Sequence, residues 1–165
     1  MFSVDNELTC NIIEIRSVSL FDIQSNEKAL KSLLEQNFRV NFSAIEDLRD
    51  NINATYNNIL QYQSDGSAII IGAFKGMNLI GFLWAYKREI MNEQRLHVVH
   101  IVVDKEERSS GAGTRMLKSL ENTAQLLGIR KIELITSIQN EVALQFYKSK
   151  GFEAVRIQLE KELGK

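Results

Sequence analysis

The chain has 165 residues, 44% of them hydrophobic and 25% charged, with a formal net charge of -1. That length implies one domain with enough chain to bury a core unaided, and the near-neutral balance excludes the basic footprint of a nucleic-acid or anionic-membrane binder. No apolar run approaches the roughly 20 residues that span a bilayer. The start, MFSVDNELTC, lacks the apolar stretch of a secretory signal, and the single Cys10 makes no intrachain disulfide and no metal cluster. A cytoplasmic, metal-free protein is the expectation.

Residues 12–17 alternate apolar and polar and predict a strand. Asn26 is placed to cap a helix over 27–36, with Leu30, Leu33 and Leu34 on one face. Ser43 and Glu46 have the spacing of a capping box, ahead of a helix carrying Ile45, Leu48, Ile52, Tyr56 and Ile59. The period then falls to two. Residues 67–74 and 79–89 predict a hairpin around Lys75-Gly76-Met77-Asn78, and 95–103 a third strand antiparallel to the second. Beyond the polar segment 104–113 comes a helix with Met116, Leu117, Leu120, Ala124 and Leu127 along one face, ended by Gly128. Residues 131–136 predict a strand. Residues 140–150 predict a helix, with Ala143, Leu144, Phe146 and Tyr147 on its less polar side and Gly151 as its stop. A last strand is expected over 152–160, with Val155, Ile157 and Leu159 on one face.

The order β-α-α-β-β-β-α-β-α-β implies one α/β three-layer domain over 1–165, with its core in 12–160. Its sheet is mixed and mostly antiparallel, with about six to seven strands and about four flanking helices. The unit 95–136 is expected to be a right-handed crossover between parallel strands.

Chemistry concentrates where strand 95–103 gives way to the next helix, in Arg108-Ser109-Ser110-Gly111-Ala112-Gly113-Thr114. Two glycines one residue apart let backbone come close to a ligand. The first turn of the helix offers unpaired N–H groups and a partial positive charge, which together suit a pyrophosphate. Arg108 adds a full charge and a rigid fork for phosphate oxygens. The segment is not a P-loop, because no Gly-Lys-Ser/Thr follows Gly111. It is a poor dinucleotide fingerprint, because the third glycine would fall at Met116.

Arg108-x-x-Gly111-x-Gly113, after a strand and before a helix, resembles the acyl-CoA signature Q/R-x-x-G-x-G/A of the GCN5-related N-acetyltransferase (GNAT) family. Asn140-x-x-Ala143-x-x-x-Tyr147-x-x-x-Gly151-Phe152 is similar to that family's second common pattern, on the helix after the next strand. The predicted element order agrees with the family across residues 12–160. The resemblance implies acetyl-CoA as co-substrate and a small-molecule or peptide amine as acceptor. It implies that strands 95–103 and 131–136 splay, and that pantetheine pairs with backbone at Ile101, Val102 and Val103. The pyrophosphate would rest on the amides of residues 108–114. Asn140 would hold the pantetheine side and Tyr147 would face the thioester sulfur.

An alkylammonium has a pKa of about 10, so the site must remove a proton before the amine can attack. The resulting oxyanion is best held by a backbone N–H, and the departing sulfur needs a proton donor, the role given to Tyr147. For the base, strand 95–103 offers His97 and His100, expected on opposite faces because they stand three apart. His100 is read at the position where relatives hold an acid, with His97 or a water relay as alternatives. Glu106 and Glu107 are expected to be solvated. Phe21, Phe38, Arg39, Asn41 and Phe42 fall in the region that shapes the acceptor side, where no acidic cluster marks a polycation site. The family commonly has two strands after the 140–151 segment and this sequence offers one, so a second subunit is one way to cover the sheet edge. A non-catalytic acyl-CoA-binding module, a nucleotide-binding domain and a protein acetyltransferase are the competing readings.

Overall fold

A computed structural model describes residues 12–164, so Cys10 and the rest of the chain start lie outside the described residues. The strands are β1 (Ile13–Ser17), β2 (Ala68–Lys75), β3 (Asn78–Ile90), β4 (Glu93–Val103) and β5 (Ile132–Leu134). The helices are α1 (Leu20–Ser25), α2 (Glu27–Asn41), α3 (Arg49–Ser64), α4 (Ala112–Leu126) and α5 (Glu141–Ser149), with one 3-10 turn at Lys105–Glu107. The chain divides into two compact units, one up to Ile135 and one from Thr136 onward.

In the first unit the strands lie in the order β1-β2-β3-β4-β5. The first three pairings are antiparallel, and β4 with β5 is parallel, as expected for the crossover. The sheet has five strands among the described residues, fewer than the six to seven expected. One sheet face carries Ile70, Phe74, Phe82, Trp84 and Val102 against Leu30, Leu33, Leu34 and Phe38 of α2 and Ile52, Tyr56 and Ile59 of α3. Met116, Leu117, Leu120 and Ala124 of α4 are buried, as are Leu83, Ala85, Leu96 and Val98, which alternate with the first set along the strands. Helix α4 packs on β1 to β4.

Two turns set the hairpins. Gly76-Met77 joins β2 to β3, with Gly76 at φ 58°. Met91-Asn92 joins β3 to β4 with both residues at positive φ, the geometry of a tight type I′ connection. Gly81 sits where β3 meets β4: a Cβ there would come within 2.9 Å of the Val102 carbonyl oxygen. Glycine is what allows β3 to lie so close to the end of β4.

Local sequence is overridden at several points. Ser19 and Asp22 form a reciprocal capping box and start α1, a helix too short for periodicity to reveal. Asn26 precedes α2 but does not cap it through its side chain. Its Oδ1 accepts from the Leu79 N–H at 3.0 Å and its Nδ2 donates to the Asp22 carbonyl at 3.1 Å, tying the start of β3 to α1. The expected Ser43–Glu46 box does not start a helix. Helix α3 begins at Arg49, behind the buried Leu48, and Ile45 is 42% exposed. Burial of Leu48, Ile52, Tyr56 and Ile59 sets the helix register, and Ile45 falls outside it. Leu127 also leaves the expected buried face, because it is the C-cap of α4. Gly128 follows at φ 69°, with its N–H on the Gln125 carbonyl and the Ile129 N–H on Ala124, a Schellman ending.

In the second unit, residues 152–164 form no strand, which corrects the expectation over 152–160. Val155, Ile157 and Leu159 are 79%, 84% and 88% exposed. Alternation produces a strand only where a neighbouring edge satisfies its backbone, and no pairing is made by these residues.

Candidate active site

The pairing of β4 with β5 covers Leu96–Ile132, His97–Glu133 and Val98–Leu134 and goes no further. On its other side β4 stays paired with β3 up to Val103. Past Val98, therefore, Ile101, Val102 and Val103 make no ladder pairing on the β5 side among the described residues. Such an edge can hydrogen-bond an extended ligand.

This edge runs directly into the glycine-rich loop. Asp104 anchors its start. The Asp104 N–H donates to the Ile80 carbonyl at 2.8 Å, and its carboxylate accepts from Gln36 at 2.9 Å and from the Glu106 N–H at 2.9 Å. The Gln36 side chain also accepts from the Lys105 N–H, so α2 fixes the loop entrance. Glu107 is not solvated as expected: it pairs with Lys75 at 2.7 Å and ties the loop to the end of β2. Ser109 and Gly111 both lie at positive φ, 69° and 81°. Gly111 is the N-cap of α4 with no side-chain cap, and the first turn of that 15-residue helix carries no acid. Ser110 Oγ lies 3.4 Å from the Ala112 N–H. Arg108, Ser109, Ser110, Gly111 and Thr114 are exposed, Gly113 is half-buried and Ala112 is buried. A helix N-terminus whose N-cap glycine leaves N–H groups available, with an exposed guanidinium beside it, can hold an anion.

The two histidines lie on one face of the sheet, not on opposite faces. His100 pairs with Trp84 and His97 with Tyr86, and those partners are two apart on β3. The register shifts between Trp84 and Ala85, leaving Val99 as the extra residue of a β-bulge, and that one residue reverses the expected parity.

His100 packs among Phe38, Trp84 and Phe82, whose ring centres lie 5.6, 5.7 and 6.3 Å away, and its Nδ1 is 3.2 Å from Asn37 Oδ1. Burial pushes its pKa down to about 4. Between its ordinary value of 6.5 and about 4, the unfolded chain takes up a proton that the folded chain refuses, so stability falls with pH across that window. Going from about pH 7.5 to about pH 5 is expected to remove about 2 kcal/mol from the unfolding free energy in urea melts. The His100→Asn variant is expected to lose that slope.

His97 has a different setting. Its Nδ1 lies 3.2 Å from Glu133 Oε1, and the Tyr86 ring centre is 5.3 Å away. Arg88 and Arg95 each reach a Glu133 oxygen at 3.2 Å. Burial resists the charge on Glu133, but the hydrogen bonds from His97 and Arg95 and the charge of Arg88 outweigh it, so the carboxyl sits below its usual range. Glu133 was not singled out from the sequence. The available signal was a carboxylate in the middle of an otherwise apolar parallel strand.

In the second unit, Asn140 caps α5, accepting the Ala143 N–H at 3.2 Å. Gly151, at φ 83°, ends the helix in a second Schellman motif, with the Phe152 N–H on the Tyr147 carbonyl. Tyr147 stacks edgewise with Phe146 and Phe152, and burial pushes its hydroxyl up to about 12.

The sequence model of the Acetyltransferase (GNAT) family matches residues 28–152. The chain belongs to the GNAT family. Its GNAT fold is close to that of a predicted acetyltransferase with acetyl-CoA from Clostridium acetobutylicum, at TM-score 0.73 and 18% identity, covering 92% of this chain and 96% of the other. It is also similar to PaiA N-acetyltransferase from Thermoplasma acidophilum in complex with coenzyme A, at TM-score 0.68 and 25% identity over 86% of this chain and 90% of that one. Among curated proteins it is 24% identical, over 86 residues, to the uncharacterized N-acetyltransferase YycN of Bacillus subtilis (strain 168). That match spans 52% of this chain and 55% of the relative. Both motifs read from the sequence fall within the GNAT match, the first at the start of α4 and the second on α5.

Proposed function

We propose that this chain is an acyl-CoA-dependent N-acetyltransferase, with both units forming one domain, that passes acetyl from acetyl-CoA to a primary amine by direct attack in a ternary complex. The observation that carries this reading is the edge of β4 past Val98, unpaired on the β5 side among the described residues, leading through the Lys105–Glu107 turn and the glycine loop to the N-terminus of α4, whose N-cap Gly111 has no side chain to cap it. One anchor suits an extended amide chain and the other suits a pyrophosphate, at opposite ends of one continuous path. The GNAT match through both units supports the same reading.

In this scheme backbone at Ile101, Val102 and Val103 pairs with pantetheine. The amides of residues 108–114 and the Arg108 guanidinium hold the phosphates. Asn140 contacts the pantetheine side while capping α5. Tyr147 stands at the leaving sulfur with its proton in place, since a hydroxyl pushed up to about 12 stays neutral throughout the physiological range. His100, with its pKa near 4, is a weak base, and we assign it a neutral hydrogen-bonding part in the wall beside Asn37. The acceptor is a small-molecule or peptide amine.

Calorimetric titration of the purified chain with acetyl-CoA, CoA, NAD and ATP tests the reading. Binding at about micromolar Kd, selective for the CoA species, is expected. Equal affinity for ATP, or none for acetyl-CoA, would overturn it.

A further inference from the structure

The acetyl-transfer reading needs a group that takes the amine's proton, and the open β4 edge fixes where that group must act. The strands part immediately after Val98–Leu134. His97 is one residue before the parting, about 3.3 Å along the strand, and the Val99 bulge is one residue after it. Between His97 and Val103, His97 is the ionisable side chain of β4 that meets a carboxylate among the described residues. Its Nδ1 faces Glu133 across the β4–β5 pair, and Tyr86 of β3 lies against its ring. Glu133 is held in turn by Arg95 of β4 and Arg88 of β3, and Arg95 also engages Glu93, which Lys131 contacts from just before β5. Glu133 therefore cannot swing away, and it fixes the imidazole tautomer. Nδ1–H donates to the carboxylate, and Nε2 keeps its lone pair.

We infer that His97, oriented by Glu133, is the general base of this chain, taking the proton from the acceptor amine where β4 and β5 part. The inference rests on the acetyl-transfer reading above. Atoms balance as follows. The acceptor enters as R–NH3+ and leaves as R–NH–CO–CH3, losing two protons. One passes to His97 Nε2 and on to water. The other ends on the CoA sulfur. The N–C bond forms as the C–S bond breaks, and the electron pair of that bond goes to sulfur. While Nε2 holds its proton, the Glu133 carboxylate stabilises the imidazolium. Glu133 is a positioning residue: it acts only through His97.

The test uses the full chain, acetyl-CoA and a panel of primary amines (an alkylamine, an amino sugar, an amino acid and a peptide N-terminus), scored by thiol release across pH. His97→Gln is expected to lower kcat about 100-fold. Its Kd for acetyl-CoA should match that of the wild type. Glu133→Gln is expected to lower kcat about tenfold with KM for acetyl-CoA unchanged, because Nδ1 loses its carboxylate partner, and Glu133→Asp is expected to recover part of that loss. Unfolding midpoints show whether each variant is folded, and with only two histidines in the chain, NMR titration against His100→Asn assigns the His97 ring directly. A His97→Gln enzyme within about threefold of wild type, or a Glu133→Gln enzyme with wild-type kcat, overturns the base and leaves acetyl transfer standing. A wild type that binds acetyl-CoA yet releases thiol to no amine overturns acetyl transfer and the base with it.

Discussion

Gly111→Asp is expected to weaken acetyl-CoA binding at least about 100-fold while leaving the fold standing. Gly111 is the N-cap of α4 at φ 81°, and, its chain neighbours aside, no described atom lies within 4 Å of where its Cβ would be. Space is therefore not the obstacle. The left-handed conformation costs a non-glycine residue about 1–2 kcal/mol, but Asp at an N-cap returns about 0.5–2 kcal/mol by accepting an orphan N–H. Those two effects nearly cancel in the free protein. With a phosphate bound they do not. The new carboxylate consumes the donors that the phosphate requires and sets like charges side by side, at about 4 kcal/mol for a pair about 4 Å apart near a surface. Gly111→Ala separates the causes, since it keeps the strain and omits the charge, and it should weaken binding far less. Calorimetry for binding and urea melts for stability make the comparison. An Asp variant with wild-type affinity would remove the phosphate-loop assignment.

How much of this site could be read in the sequence follows from what each feature depends on. The loop at 108–114 was legible because glycine spacing and strand-to-helix order are local. The helix expected beyond the polar segment 104–113 begins slightly earlier, at Ala112, with Gly111 as its N-cap. The hairpin at Gly76 and the stops at Gly128 and Gly151 were legible for the same reason, since each requires a left-handed φ. The histidines were misjudged because alternation assumes an unbroken ladder. One extra residue, Val99, carries His100 to the face of His97, and no residue type in RLHVVHIVV marks that insertion. Glu133 was missed because its meaning lies in its partner, 36 residues away in sequence. The Ser43–Glu46 pattern and the alternation in 152–160 were real local signals with nothing in the tertiary structure to realise them. In the first case the burial of Leu48 chose a different start. In the second no strand edge pairs with the segment.

Tyr147→Phe is expected to lower kcat about 100-fold and leave the Kd for acetyl-CoA within about twofold. The substitution removes one oxygen and keeps the ring that packs against Phe146 and Phe152, so α5 retains its form. A loss confined to turnover would then belong to the hydroxyl proton. A thiolate with a pKa of about 8.5 is a weaker base than a phenolate near 12, so full transfer from Tyr147 runs uphill before the thiol is complete. The phenol therefore acts first as a hydrogen-bond donor to the developing negative charge, a contribution that exists only as the C–S bond lengthens. That predicts a further, separable result. An acyl donor with a leaving thiol of lower pKa needs less help, so the ratio of wild-type to Tyr147→Phe rate should shrink as the thiol becomes more acidic. A ratio that stays constant along such a series would place the hydroxyl in binding or packing, and an unchanged rate with acetyl-CoA itself would remove the acid role outright.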